Sequence, residues 1–453
     1  MKILLSFVGK QDPISGNTNE EGAIVTLCRE LKPDALYLYP TASSDTAQSE
    51  TQTQANETCY WIATEVSPSI RVCIEPLVLP DPTDFAAILP RLHESLKKHP
   101  ELKAADEIHM NCSSGTPQMQ STWLLIANSG LLPGRRLWQV KNPEYAIERV
   151  KELQIEFLEE ENILNRLPPF SQKFLFAQMA EEMGRLGNMS LFPVRRKKAR
   201  LLQRLFWVYQ DWDMINYRKA YVGDDARPGL KELSAGFKPT RGDMEDESLK
   251  KVLEKQVALL EKLQRKNQKE TPENLSDLYF NAHRSFSRGN YTDTLARFWR
   301  VYEGILYYQL RKDYGIEPTN PKKSSNKDHF QQLSVAVPGI MPQGSLGIRR
   351  SEKVLHEVFQ DKKFQELANR SLQIEKDARV TVGSLLKELR ENRNDSIVAH
   401  GMKPVEKQSA ANALNVMREL FTGFFPTHIL AEYPFQNRDL KIVVEYLTKN
   451  FSA

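Results

Sequence analysis

Strand-like apolar runs crowd the first third of this 453-residue chain and then stop. MKILLSFVG, ALYLYP, SIRVCIEPLVL, DEIHMNC and RRLWQV each have the length and the branched or aromatic content of a buried strand. Between them lie 3.6-residue patterns, EEGAIVTLCRELK, FAAILPRLHESLKKH and TPQMQSTWLLIANSG. This alternation predicts an α/β domain with a doubly wound, Rossmann-like parallel sheet, whose ligands lie beyond the carboxyl ends of the strands. NPEYAIERVKELQ leaves the sheet as one more strand or a helix, and Pro168-Pro169 is expected to close that segment. From Phe170 onward long helical patterns take over, such as FSQKFLFAQMAEEMGRLGN and SLKKVLEKQVALLEKLQRK. The boundary falls near residue 165, giving an α/β domain over 1–165 and an all-α domain over 166–453.

Two strand ends carry the informative loops. After the first comes Gly9-Lys10-Gln11-Asp12-Pro13, and after the fourth comes Asn111-Cys112-Ser113-Ser114-Gly115-Thr116-Pro117-Gln118-Met119. Thr116 is a natural N-cap and Pro117 a natural first helical residue, so free backbone N–H groups and a helix dipole face the sheet edge there, as a phosphate requires. An ordinary strand-to-helix turn reads the same way. G-x-G-x-x-G and the Gly-Lys-Ser/Thr phosphate loop are both missing, which argues against a conventional NAD or ATP site.

Hydrophobic residues at 40% and charged residues at 26% describe an ordinary globular protein. A net charge of +4 permits nucleic-acid contact without demanding it. Cys28, Cys59, Cys73 and Cys112 form no C-x-x-C pair and are expected as buried thiols of a reducing cytosol. No signal peptide or membrane-length apolar run is present, so a cytoplasmic protein without membrane contact is expected.

The stretch RENRNDSIVAHGM, from Arg390 to Met402, places Arg393, Asn394 and His400 together. A seven-residue separation would put Arg393 and His400 two turns apart on one helix face, with Leu386, Leu389 and Ile397 on the same stripe. Gly401 and Pro404 would end that helix just past His400. In a chain with 62 lysines and arginines and eight histidines, such a pair also arises by chance.

VRRKKARLLQRLFW from Val194 is the densest basic run; it suits RNA phosphates, but the better reading is a packed face of Leu201, Leu202, Leu205 and Phe206 under solvated charges. ENLSDLYFNAHRSFSRGN and YTDTLARFWRVYEGILYYQL predict a helical hairpin broken at Gly289, with Arg300 and Glu303 paired on its second helix and His283 structural. Pro318 to Lys327 and PGIMPQGSLG read as loop.

These stretches resemble a CARF domain joined to a HEPN domain, as in the ancillary ribonucleases of type III CRISPR systems, the Csm/Csx group. The resemblance rests on SFVGKQDPISGN, EGAIVTLCRELKPDALYLYPT, NCSSGTPQM and Arg393-Asn394 followed by His400, the HEPN spacing of arginine and histidine. It implies an allosteric RNase: a homodimer in which paired CARF domains bind a cyclic oligoadenylate made by a type III effector complex, with tetra-adenylate and hexa-adenylate both open. Paired HEPN domains then cut single-stranded RNA without a cofactor. By position, Ser113, Ser114, Gly115, Thr116 and Gln118 would touch the activator, with Gly9, Lys10 and Asp12 opposite. Arg393, Asn394 and His400 would be catalytic. The resemblance also allows slow cleavage of the activator near Thr116. The competing readings are a ligand-sensing transcription regulator and a non-catalytic nucleic-acid-binding protein.

Overall fold

The structure is a computed structural model; it describes the chain apart from residues 43–49, 133–134, 155, 241–242, 266–268, 338–344, 374–378, 398 and 449–453. Most of PGIMPQGSLG therefore lies outside the described residues. The chain divides into two units, Met1–Asn162 and Ile163–Ala453.

In the first unit six strands form one sheet: β1 (Lys2–Phe7), β2 (Ala35–Tyr39), β3 (Arg71–Ile74), β4 (Glu107–Asn111), β5 (Arg135–Val140) and β6 (Val150–Leu153). Their order is β3-β2-β1-β4-β5-β6. All neighbouring pairs are parallel except β5 and β6, so the segment left open as strand or helix is an antiparallel edge strand. Strand order reverses between β1 and β4, where Ser6 stands opposite Asn111. That switch point is where a doubly wound sheet opens a crevice. One face of the sheet carries Ile3, Leu5, Phe7, Ile108 and Met110 into a core with Trp123; the other carries Leu4, Leu36 and Leu38 against helix α1 (Ala23–Leu31). This two-sided burial is why these strands read as continuous apolar runs. Of the cysteines expected to be buried, Cys28 is buried, but Cys59, Cys73 and Cys112 are only half-buried.

The second unit is helical. Its principal helices, continuing in chain order after α2 (Gln52–Trp61), α3 (Phe85–Lys97) and α4 (Pro117–Ser129), are α6 (Phe176–Met189), α7 (Pro193–Asp213), α8 (Met244–Leu263), α9 (Pro272–Ser287), α10 (Tyr291–Tyr314), α11 (Ile348–Lys353), α12 (Val382–Asp395), α13 (Lys407–Phe424) and α14 (Asn437–Thr448). Helix α5 (Glu156–Gln172) runs on through Pro168 and Pro169 instead of stopping at them. Ile163 and Leu167 on it are fully buried, and that packing offsets the two missing N–H donors. The pattern from Phe170 is then broken, because Phe174 takes a left-handed backbone, φ 52°, before α6 starts.

This unit has two hydrophobic cores. One joins α6, α7 and α8 to the C-terminal Tyr433, Phe435 and α14; the other joins α9, α10, α12 and α13. The expected α9–α10 hairpin turns at Gly289, φ 81°. A buried polar cluster links the two cores. Asp213 at the end of α7 accepts from Arg284 and Arg288, at 2.6 Å each, and from Asn281 at 2.8 Å. Asp277 accepts from Trp212 and Tyr217, both at 2.8 Å, and from Tyr433.

Candidate functional sites

At the switch point, the loops after β1 and β4 are wired to each other. Asn111 is fully buried and its amide donates to Ser6 and Ser114, both at 2.9 Å, while its carbonyl accepts the Ser113 N–H at 2.9 Å. Asp12 is also buried and accepts the N–H groups of Gly9, at 2.9 Å, and Ile24. Burial lifts its carboxyl to about 6, against the pull of the Gly9 and Ser114 hydrogen bonds. Gly9 and Gly115 are needed where they stand. A Cβ on Gly9 would sit 3.0 Å from the Gly115 nitrogen, and Gly115 itself has φ +88°.

Thr116 caps α4 as expected, its hydroxyl oxygen accepting the Met119 N–H at 3.3 Å and donating to the Pro82 carbonyl at 2.7 Å; Pro117 is the first helical residue. Ser113 accepts the Val140 N–H at 2.7 Å. Lys10 is exposed and holds the Glu50 carbonyl at 2.6 Å. The carbonyl oxygen of the Gln118 side chain is enclosed without a partner. The eight residues assigned to the activator thus gather around one sheet edge, but in two groups. Gly9, Asp12, Ser113 and Ser114 hold the loops in shape, while Lys10 after β1 and the half-buried Gly115, Thr116 and Gln118 at the start of α4 have exposed surface.

The second site lies at the end of α12. Thr381 caps this helix, accepting the Ser384 N–H at 3.2 Å, and Val382, Leu385, Leu386 and Leu389 bury one face. The helix ends at Asp395, short of the expected continuation to His400. The run Asn394-Asp395-Ser396 offers competing partners for the backbone: the Ser396 hydroxyl donates to the Arg393 carbonyl at 3.0 Å. The chain then turns back, with the Lys403 N–H reaching the Asp395 carbonyl at 3.0 Å and the Gly401 N–H reaching Ser396 at 3.1 Å. Gly401 fits because a Cβ there would fall 1.7 Å from the Asp395 oxygen. His400 is therefore exposed on a turn, and Ile397, expected on the buried stripe, is 70% exposed. Arg393 and His400 do not share a helix face.

Arg393 stays in the last turn of α12 with its guanidinium 5.5 Å from the centre of the Trp299 ring and its Nε enclosed without an acceptor. Arg390 lies over the same indole, at 5.9 Å, and is neutralised by Glu352, which also accepts from Tyr302 at 2.7 Å. Arg393, Asn394, Trp299, Glu303 and Arg349 line an open pocket of about 560 Å³. The Arg300–Glu303 pair is present at 3.4 Å. Sequence reasoning missed Trp299, Arg349 and Glu352; no local pattern links α10 and α11 to a motif so far along the chain. His283 packs edge-on against Tyr279, and burial holds its imidazole down to about 4, so it is neutral. Among the described residues no group of three or more His, Cys, Asp or Glu side chains is placed to hold a metal ion, and no helix is long and apolar enough to cross a membrane.

Comparison with known proteins finds a match in each half. Residues 263–423 match the family model of the Csm6 HEPN domain, and residues 46–168 match that of the regulator of RNA terminal phosphate cyclase. A CRISPR system endoribonuclease Csm6 from Enterococcus italicus is 24% identical over 353 residues, covering 75% of this chain and 74% of that protein. The structure of Enterococcus italicus Csm6 bound to cyclic hexa-2′-fluoro-hexa-dAMP covers 99% of both chains with a TM-score of 0.60 and 16% identity. The HEPN match contains Arg393 and His400 and follows an α/β unit open at its switch point, so the chain is similar to Csm6 in the order of its parts and in its fold.

Proposed function

We propose that this chain is a cyclic oligoadenylate-activated endoribonuclease of type III CRISPR defence, cutting single-stranded RNA without a metal ion in the cytoplasm. Residues 1–165 are the sensor and residues 166–453 the nuclease half. The observation that carries the reading is Arg393, a guanidinium without a carboxylate partner among the described residues, beside an open pocket inside the segment that matches a Csm6 HEPN domain. The substrate's own 2′-hydroxyl attacks the adjacent phosphate, leaving a 2′,3′-cyclic phosphate and a 5′-hydroxyl. His400 moves the proton, Arg393 meets the charge growing on the phosphorane oxygens, and Asn394 orients the arginine or the RNA.

One chain supplies one such set, and the reading takes the active form to be a homodimer on a two-fold axis. Ile397 and Met402, 70% and 92% exposed, flank His400 and give that turn an apolar surface suited to a second copy. The activator would sit over Lys10, Gly115, Thr116 and Gln118 and act by favouring the cleaving arrangement over the resting one. The competing reading, a ligand-sensing transcription regulator, draws support from the match over residues 46–168 alone, whereas the helical half matches a nuclease domain.

The deciding experiment is cleavage of a fluorescent single-stranded RNA with cyclic tetra-adenylate or cyclic hexa-adenylate, with and without EDTA, followed by end-group analysis. Activator-dependent cutting that survives EDTA and leaves cyclic phosphates is the expected result. No cutting with either ring would overturn the proposal.

A further inference from the structure

Helix α7 opens with Pro193-Val194-Arg195-Arg196-Lys197-Lys198, and no acidic residue stands in its first turn. Cations at a helix N-terminus work against the macrodipole, so this run opposes the stability of its own helix. Part of the charge is taken up locally: Arg195 is buried against Phe192, and Lys198 donates to the Tyr446 carbonyl at 3.3 Å. Arg196, Lys197, Arg200 and Arg204 have no ion pair or hydrogen bond among the described residues, and neither has Lys238, which faces the same groove. The groove has a volume of about 880 Å³. Arg196, Arg200 and Arg204 recur every fourth residue, which sets them on one helix face at intervals of about 6 Å. A stripe of that length suits a row of phosphates better than a single one.

A second observation points to what runs between the phosphates. Asp246 also lines the groove and is 5% exposed; one carboxylate oxygen accepts the Thr240 N–H at 2.7 Å and the other has no partner among the described residues. An enclosed acceptor left unpaired is costly, and the ribose hydroxyls or base amino groups of a nucleic-acid strand would satisfy it. Phe237, half-buried in the same wall, offers a ring for a base to stack on.

We propose that this groove is a second RNA-binding site, which holds the backbone of the single-stranded substrate away from the bond being cut. The proposal rests on the reading of the chain as a ribonuclease. Phosphates lie along Arg196, Arg200 and Arg204, and the site lowers KM for long RNA without entering the chemistry.

The test is fluorescence anisotropy of the full chain with a labelled single-stranded oligouridylate at several salt concentrations, without activator. For Arg196→Gln/Arg200→Gln/Arg204→Gln, three lost phosphate contacts should weaken binding about 10-fold or more and reduce the salt slope by about 2. Lys197→Gln/Lys238→Gln, on the groove but off that stripe, should reduce the slope by about 1.4 and keeps the test open if the triple variant fails to fold. Wild-type affinity and slope in folded variants would overturn the proposal. Cleavage separates the two readings: KM for a long RNA should rise in the variant while turnover of a short oligonucleotide stays at the wild-type level. If wild-type protein cut neither RNA, the nuclease reading would fail, and the binding comparison would still decide the groove.

Discussion

Arg390 donates through one guanidinium nitrogen to both carboxylate oxygens of Glu352, at 2.6 and 2.7 Å. Its neighbour one turn on, Arg393, shares the Trp299 indole but has no such carboxylate among the described residues. The two arginines of RENRN therefore differ in kind: one holds α12 to α11, and the other has no carboxylate partner among the described residues. Arg393→Ala and His400→Ala should each lower activated RNA cleavage by about 100-fold or more while leaving the melting temperature and activator affinity near wild type. Arg390→Ala should instead lower the melting temperature, because Glu352 and Tyr302 lose a partially buried cation. Undiminished cutting by His400→Ala would remove the proposed active site. His283→Gln is the control: since that imidazole is already neutral, the pH dependence of cleavage should not move.

Gly401 makes a sharper test of how His400 is placed. A methyl group there would collide with the Asp395 carbonyl, and the turn must shift to admit it. Gly401→Ala should cut turnover strongly with little change in helix content by circular dichroism. Normal turnover would mean that the turn geometry is not used.

At the sensor edge, Thr116→Val keeps the shape of the side chain and removes both its hydrogen bonds. Loss of the cap should cost the first unit about 1 kcal/mol in denaturant unfolding. RNA cutting stimulated by activator should fall further than basal cutting, and an equal fall in both would argue against a separate sensor pocket.

Asp12 gives this edge a pH dependence with a definite sign. Its carboxyl is raised from the ordinary value of 3.8 to about 6 in the folded protein, so the native state binds the proton more tightly than the unfolded chain does. Below pH 4 both states are protonated, and above about pH 6 both are charged and the fold bears the cost of burial. Wild type should therefore gain up to about 3 kcal/mol relative to Asp12→Asn as the pH falls from 7 to 4. Parallel stability profiles for the two proteins would refute this.

Asp213 holds two buried or half-buried arginines at the junction of the two helical cores. Asp213→Ala removes the carboxylate that pairs directly with Arg284, 1% exposed, and should destabilise the second unit by about 3–5 kcal/mol in chemical denaturation. A loss below about 1 kcal/mol would mean that the cores are held by apolar packing alone.

The sheet was legible in the sequence because each of its central strands is buried on both faces and so appears as an unbroken apolar run. The capping pair Thr116-Pro117 was legible too, because an N-cap depends on a few adjacent residues. Local chemistry also contained the sign that α12 stops at Asp395, in Asn394-Asp395-Ser396, but the helical spacing of Arg393 and His400 masked it. What only the tertiary structure decided is which charges are free. Glu352 neutralises Arg390 from 38 residues away, Trp299 comes from a different helix, and Asp12 accepts the N–H groups of Gly9 and Ile24. A carboxylate's partner is set by where the chain returns in space, and a single sequence records the residues that can pair but not the pairs that form.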